Sequence, residues 1–373
     1  MNNSLKIELF RASEKALRNR EILAAVSGRP RFGPREIWSY VGAATAFPLL
    51  RALFQRRFKV PEITGDAIAI GSRKRAKYRP AQEGQMPLDD LEYDWNEQTY
   101  RFFDFRIATH CYLTLLRFLP FILTLWVRRS AWCSAHFAVC LVEWTYLRCL
   151  LKRHPQIKNV YSGYYVDRKA FLVSLIQSDI KIRHIGLQHG SFNVFPTLHR
   201  AKVDEVILIY PFSRNFAKCF FSIDDSVEIR VAPELFDLGW KKRGSEKSFI
   251  VYGASVDSKE LNRDIIIALD RYLPKSIEIM IKLHPRDNSA DYLDLLHGRV
   301  ALIDFNAKDA KVYVGQLSSV IAEAWTFNVP IAVMYGDTAR GSDFQRNIDV
   351  AVQPDAVSLA RAVANMVEDK NAR

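Results

Sequence analysis

The sequence predicts an α/β fold in which two Rossmann-like domains face a cleft and follow a helical N-terminal extension. After Pro155, short apolar segments alternate with helical patterns, which is typical of parallel, doubly wound sheets. A polar, glycine-flanked segment at 239–245 divides this alternating region and is predicted to be the linker. The length of 373 residues suits two domains, and 49% hydrophobic with 25% charged residues is an ordinary globular composition.

The N-terminal domain is predicted over residues 1–238, helical over 1–155 and Rossmann-like over 156–238. Residues 1–60 have helical spacing of apolar residues, 67–71 is a strand candidate, and the polar segment 80–98 is predicted to be a loop. Strands in the Rossmann-like part are expected at 159–163, 181–187, 203–210 and 227–231, with a helix at 168–178.

The C-terminal domain is predicted over residues 246–373. Its expected strands are 248–253, 277–284, 300–304, 311–315, 330–334 and 349–352. Its expected helices are 258–272, 290–296, 318–326 and 354–368.

The segment 107–150 is rich in apolar and aromatic residues and is predicted to lie within a longer helical region, 100–152. Its uncharged central stretch, 118–127, contains Pro120 and is shorter than the 20 or so apolar residues that a membrane-spanning helix needs. The prediction is therefore buried helices of the first domain. A position at a membrane interface is the alternative, with aromatic side chains at the headgroup level.

The positive charge is concentrated near the N-terminus. The net charge is +12, and residues 1–80 contain 17 Lys and Arg against 6 Asp and Glu, with clusters at 51–59 and 72–79. Such clusters attract anionic lipid, acidic saccharide or nucleic acid, although a solvated surface has the same composition. Because no helix-turn-helix, RNP-type or zinc-finger pattern accompanies them, the expected partner is an anionic membrane surface and not nucleic acid.

The five cysteines are odd in number and have no CxxC spacing. They are predicted to be buried thiols in a reducing compartment, since neither a disulfide framework nor a zinc site fits their spacing. The N-terminal segment lacks the uninterrupted apolar run of a secretory signal. The expected location is the cytoplasm.

A first candidate site follows the strand 181–187, in the segment Gly186–Ser191. His189 is flanked by Gln188 and Gly190, so it is expected where the chain turns at a strand end. An imidazole titrates near pH 6.5 and can accept a proton at neutral pH. The alternative is a structural histidine that stabilises the turn.

A second candidate site ends the strand 277–284. Lys282 and His284 are two residues apart on an extended chain, so they are expected on the same face, with Arg286 beyond Pro285. These side chains would form an anion-binding edge.

A third candidate site is the segment 315–324. A strand ends at Gly315, and Ser318 and Ser319 open the next helix. A helix N-terminus presents free N–H groups and a positive dipole to a phosphate, although either serine also serves as an ordinary N-cap. Glu323 lies about one turn further on and could accept a hydrogen bond from a sugar hydroxyl.

These three motifs together resemble the bacterial GT-B glycosyltransferases of capsule and lipopolysaccharide assembly. The resemblance rests on three motifs. They are Gln-His-Gly at 188–190, Lys-Leu-His-Pro at 282–285, and the paired serines that precede a helix with Ala-Glu-Ala and a strand that begins with Pro-Ile. The resemblance covers roughly 157–340 and is strongest to sialyltransferases, polysialyltransferases and Kdo-transferases. CDP-glycerol-type polyol phosphotransferases have a similar pattern.

The resemblance implies an inverting glycosyltransferase that needs neither metal nor cofactor. It would transfer a nucleotide-activated sugar, with a CMP-linked acid sugar as the favoured donor, to a surface polysaccharide or glycolipid acceptor. The C-terminal domain would bind the nucleotide and the N-terminal domain the acceptor, on the inner face of the plasma membrane. A CDP-polyol phosphotransferase and a non-catalytic assembly protein are the alternatives.

The same resemblance implies roles for individual residues. His284 would contact the nucleotide phosphate or ribose, the serine pair would bind phosphate oxygens, and Lys282 and Arg286 would stabilise the departing nucleotide. His189 would act as the base toward the acceptor hydroxyl. Asp167 is the other candidate for this base. Alternatively, Asp167 has the structural role of a helix N-cap.

Overall fold

The computed structural model describes residues 3–26, 42, 65–71, 89–92, 105–162, 168–188, 201–211, 213–214, 226–233, 239–255, 259–284, 287–316, 319–334 and 352–369. The chain forms two compact units. A six-stranded sheet lies in the first unit and another in the second, whereas a third sheet has only two strands. The predicted α/β class with two parallel sheets is confirmed.

The first unit contains four helices among the described residues. They are α1 (Asn3–Val26), α2 (Phe105–Arg128), α3 (Ala131–Arg153) and α4 (Arg168–Ile176). Ser130 caps α3, because its hydroxyl accepts the backbone N–H of Cys133 at 3.0 Å, and Lys152 and Arg153 complement the helix dipole at the other end.

The first sheet contains six strands in the order β2-β1-β3-β4-β5-β6. The strands are β1 (Ala67–Gly71), β2 (Asp89–Glu92), β3 (Asn159–Ser162), β4 (Arg183–Leu187), β5 (Glu205–Leu208) and β6 (Glu228–Val231). The paired strands from β2 to β5 run parallel. The chain reverses its direction of strand addition between β1 and β3, where ligands bind in open α/β sheets.

The prediction of a loop over the whole of 80–98 was wrong at Asp89–Glu92. This segment is the edge strand β2 and pairs in parallel with β1, so that Leu91 lies opposite Ile70. Three of its four residues are acidic, and charged residues are common in edge strands. The region predicted as a helical extension therefore supplies two strands to the first sheet.

The predicted buried helices are only partly confirmed. α3 is buried along most of its length, from Ser134 to Leu151, and forms the centre of the first core. α2 packs against it along one face and exposes large apolar side chains along the other. By length and composition, α2 is the one helix in the described ranges that could cross a membrane.

The second unit contains the remaining elements. Its helices are α5 (Lys259–Tyr272), a 3-10 helix (Ser289–Leu295), α6 (Ser319–Thr326) and α7 (Ala356–Glu368), so the helix predicted at 290–296 is of the tighter type. Its strands are β7 (Trp240–Lys241), β8 (Phe249–Gly253), β9 (Glu278–Lys282), β10 (Val300–Ile303), β11 (Asn306–Ala307), β12 (Tyr313–Gln316), β13 (Ile331–Met334) and β14 (Val352–Gln353).

The main sheet of this unit has the order β10-β9-β8-β12-β13-β14, and its pairs are parallel. When the six strands of this sheet are numbered 1 to 6 along the chain, starting from β8, their order is the Rossmann order 3-2-1-4-5-6. The switch point lies between β8 and β12. The apolar core lies between the sheet and helices α5 and α7.

The linker predicted at 239–245 is not a free connection. Trp240–Lys241 forms β7 and pairs in parallel with β11 of the second unit. Trp240 is buried, and its ring packs against those of Tyr313 and Phe327 at centroid distances of 5.4 and 5.2 Å. The flanking Gly239 and Gly244 have positive φ angles of 70° and 68°, which explains why glycine occurs at both positions.

The four cysteines within the described ranges form no disulfide bond with one another. Cys111 and Cys140 are buried, and Cys133 and Cys149 are half-buried. Burial raises the pKa of Cys140 to about 12. A thiol of this kind stays protonated at neutral pH and is a poor nucleophile.

Candidate functional site: the carboxyl edge of the second sheet

The candidate site lies where β8 and β12 end side by side. In the parallel register, Gly253 of β8 lies opposite Gly315 of β12. A Cβ atom at Gly315 would lie 3.2 Å from the Ile321 side chain of α6 and 3.3 Å from the Gly253 carbonyl oxygen, and one at Gly253 would lie 2.9 Å from the Tyr313 hydroxyl. The two glycines thus allow the strands and the helix to pack closely at the switch point. Ligands of open α/β sheets bind at such a point.

A buried asparagine organises the loop that follows β8. The Asn262 side-chain oxygen accepts the Tyr252 hydroxyl at 2.8 Å and the Ser255 backbone N–H at 3.1 Å. Its amide donates to the Ser255 carbonyl at 2.7 Å and to the Tyr292 hydroxyl at 3.0 Å. Gln316, at the end of β12, donates to the same oxygen at 3.4 Å. The network therefore links the carboxyl ends of both switch-point strands.

Burial keeps the two tyrosines of this network in their neutral form. Burial is the main cause that raises the pKa of Tyr252, and it also raises the pKa of Tyr292. Both hydroxyls therefore stay protonated at neutral pH, so they act as neutral hydrogen-bonding groups and not as bases.

Sequence analysis missed Asn262, although a signal was present. Asn262, Ile265, Ile266 and Leu269 are spaced i, i+3, i+4 and i+7, and all four are buried in α5. A polar residue on the buried stripe of an amphipathic helix needs an internal partner.

The structure brings the second motif to this same edge. β9 lies next to β8 and ends at Lys282, whose carbonyl accepts the Ala254 N–H at 3.0 Å. His284 follows and is half-buried. Its backbone N–H donates to the Asp287 carboxylate at 3.3 Å, and the Asp287 N–H donates back to the His284 carbonyl at 2.8 Å. This local turn holds His284 at the end of β9, and Arg286 lies outside the described residues.

The third motif is only partly described. Gly315 lies at the end of β12, and Ser319 is the first residue of α6, whereas Ser318 lies outside the described residues. Adjacent strands are about 4.8 Å apart, so the ends of β9 and β12 are separated by roughly 10 Å across β8.

Glu323 has a structural contact that the sequence did not indicate. Its Oε2 atom accepts the Trp240 indole N–H at 2.8 Å. The carboxylate therefore joins α6 to β7. The predicted contact of Glu323 with a sugar hydroxyl stays a prediction. A sugar hydroxyl would have to bind this carboxylate in addition to the Trp240 indole N–H.

The predicted residues of the first unit follow β4. Gln188 is buried, and its backbone N–H donates to the Ile207 carbonyl at 2.9 Å. Asp167, His189 and Gly190 lie outside the described residues. The roles predicted for them stay predictions.

A different histidine of the first sheet forms a buried pair with a serine. The His184 Nδ1 atom is 2.8 Å from the Lys202 carbonyl oxygen, which can only accept, so Nδ1 carries the proton. Nε2, at 2.9 Å, then accepts the Ser162 hydroxyl. Burial lowers the pKa of His184 to about 4, although the Lys202 carbonyl and Asp204 act in the opposite direction. His184 is therefore neutral at pH 7 and fixes the end of β3.

No group of three or more His, Cys, Asp or Glu residues suited to a metal ion occurs in the described part of the chain. Among the described residues, the candidate edge includes the Lys282 ammonium, the His284 imidazole and the Asp287 carboxylate, which accepts the His284 backbone N–H. With the N-terminus of α6, this edge can bind an anionic ligand.

Comparisons with known proteins give similarities of fold. No family model matches the sequence, and no curated protein sequence matches it. The S. aureus MnaA–UDP co-structure is 12% identical, with a TM-score of 0.48 over 82% of this chain and 88% of that chain. The UDP-GlcNAc 2-epimerase from Neisseria meningitidis bound to UDP-GlcNAc is 13% identical, with a TM-score of 0.45 over 62% and 73% of the two chains.

A third solved structure, HepE from Anabaena in complex with UDP and glucose, is 11% identical. Its TM-score is 0.41, over 61% of this chain and 73% of that chain. Similarity at this level transfers no activity to this chain, because activities depend on individual sites.

Proposed function

We propose that the protein is a nucleotide-sugar-dependent glycosyltransferase whose second unit binds the nucleotide. The observation that carries the proposal is the 3-2-1-4-5-6 sheet, which has Lys282 and His284 at the end of β9 and the N-terminus of α6 after β12. Sheets of this order bind nucleotides outside the carboxyl ends of their strands, at the switch point. An ammonium group, an imidazole and a helix N-terminus are all groups that bind phosphate.

The proposed reaction uses these groups to stabilise the leaving nucleotide. The acceptor hydroxyl oxygen attacks the anomeric carbon, the bond from that carbon to the phosphate oxygen breaks, and the electron pair leaves with the nucleotide. Lys282, His284 and the helix N-terminus would stabilise the charge that develops on the phosphate. His189 would accept the hydroxyl proton, and the anomeric configuration would be inverted.

We further propose that the donor is a CMP-linked acid sugar and that the acceptor is a surface polysaccharide or glycolipid. The support is the resemblance of the Lys-Leu-His-Pro and paired-serine motifs to transferases of that class. The acceptor class agrees with a cytoplasmic protein bound to the inner face of the membrane, to which the basic residues of 1–80 would contribute.

Nucleotide binding tests the proposal before any acceptor is known. CMP, CDP, UDP and GDP are each added to the protein, and the midpoint of thermal unfolding and the heat of binding are measured, since a ligand that binds only the folded state stabilises it. We expect CMP to give the largest stabilisation. His284→Ala should weaken binding about 10- to 150-fold, which corresponds to the 1.5–3 kcal/mol of a hydrogen bond to a charged group.

The matched control is His297→Ala. His297 belongs to the same unit but precedes β10, so it lies at the amino edge of the sheet, away from the candidate site. This variant should bind nucleotide like the wild type. Equal affinities of folded His284→Ala and wild-type protein would refute the assignment, and preference for another nucleotide would refute the CMP donor alone.

A further inference from the structure

Helix α2 has an exposed apolar surface that the described elements of the first unit do not cover. Its inner face is the set of buried residues that pack on the first core, namely Ile107, Ala108, Cys111, Leu115, Phe118 and Leu125. A second set, here called the outer stripe, consists of Tyr112, Leu116, Leu119, Leu123 and Trp126, and all five are exposed. Their spacing of 4, 3, 4 and 3 residues places them in one line along the helix.

The outer stripe is too large to be an ordinary scatter of surface residues. Leu113 and Val127 flank it and are also exposed, Val127 by 84%. The helix has 24 residues, which gives a length of about 36 Å. Contiguous apolar patches of such extent mark a contact with another apolar body.

The polar groups of the helix fit a lipid surface. The threonine hydroxyls donate to the carbonyl oxygens four residues earlier, Thr109 to Phe105 at 2.8 Å and Thr124 to Pro120 at 2.8 Å. These hydroxyls are satisfied within the helix and do not need water. An apolar environment penalises only polar groups that lack such partners.

The charged residues of α2 itself are exclusively basic. Arg106, His110, Arg117 and Arg128 are exposed, and their spacings of 4, 7 and 11 residues place them on one strip between the two apolar faces. The helix contains no Asp or Glu. Arginine side chains can extend from the apolar boundary to lipid phosphates, while Trp126 and Tyr112 are of the type that lies at the headgroup level.

We propose that the outer stripe of α2 docks on an anionic lipid bilayer, with the helix lying in the interface and its inner face still packed on the first core. A second copy of the chain on the stripe would bring strips of like charge together, whereas anionic phosphates neutralise them. Because the inner face belongs to the protein core, the helix lies on the membrane and does not cross it. This proposal is independent of the nucleotide site.

Vesicle flotation tests the proposal with the full chain and no nucleotide. Vesicles of phosphatidylcholine are compared with vesicles that contain about three-tenths phosphatidylglycerol, at low and high salt. We expect binding to the anionic vesicles, weakened by salt. The double variant Leu116→Glu/Leu123→Glu should bind at least about tenfold more weakly, because two apolar contacts are replaced by charges that the lipid repels.

The matched control is Ile267→Glu/Leu293→Glu, which makes the same chemical change at two exposed apolar positions of the second unit. It should bind vesicles like the wild type. All the substituted residues are exposed, so thermal unfolding should show folded proteins. Brominated lipids should quench the wild-type fluorescence more strongly than that of Trp126→Phe, because Trp126 would lie in the bilayer.

Three outcomes would overturn the proposal. One is wild-type protein that stays in solution with anionic vesicles, as it would if another part of the chain covers the stripe. Another is equal vesicle binding by the stripe variant and the wild type. The third is that the wild-type protein does not bind vesicles but sediments as a dimer, and that Leu116→Glu/Leu123→Glu sediments as a monomer. This result would assign the stripe to contact with a second copy of the chain.

Discussion

Replacement of His184 should make the first unit less sensitive to acid. His184 is fully buried between the Ser162 hydroxyl and the Lys202 carbonyl. Protonation would put a second N–H on the ring and force the Ser162 hydroxyl from donor to acceptor. The charge would also lie in a buried environment, and burial is the larger cause of the lowered pKa.

The size of the effect follows from the two pKa values. The unfolded chain protonates this imidazole below its ordinary pKa of 6.5, whereas the folded chain does so only near pH 4. The associated stability is therefore complete above pH 6.5 and is lost as the pH falls from 6.5 toward 4. With about 1.4 kcal/mol per pKa unit, the loss between pH 7 and pH 5 is about 2 kcal/mol.

The assay is urea unfolding at pH 7, 6 and 5, followed by tryptophan fluorescence, to which Trp132 and Trp144 of the first unit contribute. His184→Asn should lower the free energy of unfolding at pH 7, since an amide fills the site less well. Between pH 7 and pH 5, however, the free energy of unfolding of this variant should fall about 2 kcal/mol less than that of the wild type. His110→Asn, at an exposed position of α2, is the control and should keep the wild-type pH dependence. Equal pH dependence in His184→Asn and wild type would refute the reasoning.

Three further predictions concern the candidate site and its support. Gly315→Ala should destabilise the second unit by about 1–3 kcal/mol in urea unfolding, because the added methyl group overpacks the contact between strand and helix. Trp240→Phe should cost about 1.5–3 kcal/mol in the same assay, since it removes the donor to the Glu323 carboxylate. His189→Ala should lower turnover about 10²–10⁴-fold without loss of nucleotide affinity, because a base assists only the chemical step. Asp167→Asn should retain most of the turnover.

Each of these has its own control. A Cβ atom at Gly298 meets nothing within 4 Å, so Gly298→Ala should be tolerated, and equal losses at both glycines would contradict the packing argument. Glu323→Gln keeps an acceptor oxygen for Trp240 and should cost less than Trp240→Phe. If Asp167→Asn abolishes turnover while His189→Ala retains it, the carboxylate is the base.

The alternating sheet pattern was predictable because buried parallel strands are short, continuous apolar runs. In the second unit, β8, β9, β12 and β13 begin and end within a few residues of the predicted limits. The ends of those runs are marked by glycine or by polar residues, which is why Lys282, His284 and Gly315 were expected at strand ends. A change of residue type along the chain is enough to locate such an end.

The edge elements could not be predicted in this way. Asp89–Glu92 and Trp240–Lys241 are held by backbone hydrogen bonds to strands that are distant in the sequence. Backbone pairing at an edge requires no apolar alternation of the added strand. Both segments therefore have the composition of loops.

The sequence by itself determined that two parallel sheets form and that basic and glycine residues follow particular strands. Both can be predicted because the spacing of apolar residues and the residue types that end a strand are local properties of the chain. Only the tertiary structure decided what those groups contact. Glu323 and Trp240 are 83 residues apart, and Asn262 joins β8 to β12 through partners on three elements. The exposure of one face of α2 was decided in the same way, since both of its faces are apolar and the positions of α3 and of Phe10 in α1 select which one is buried.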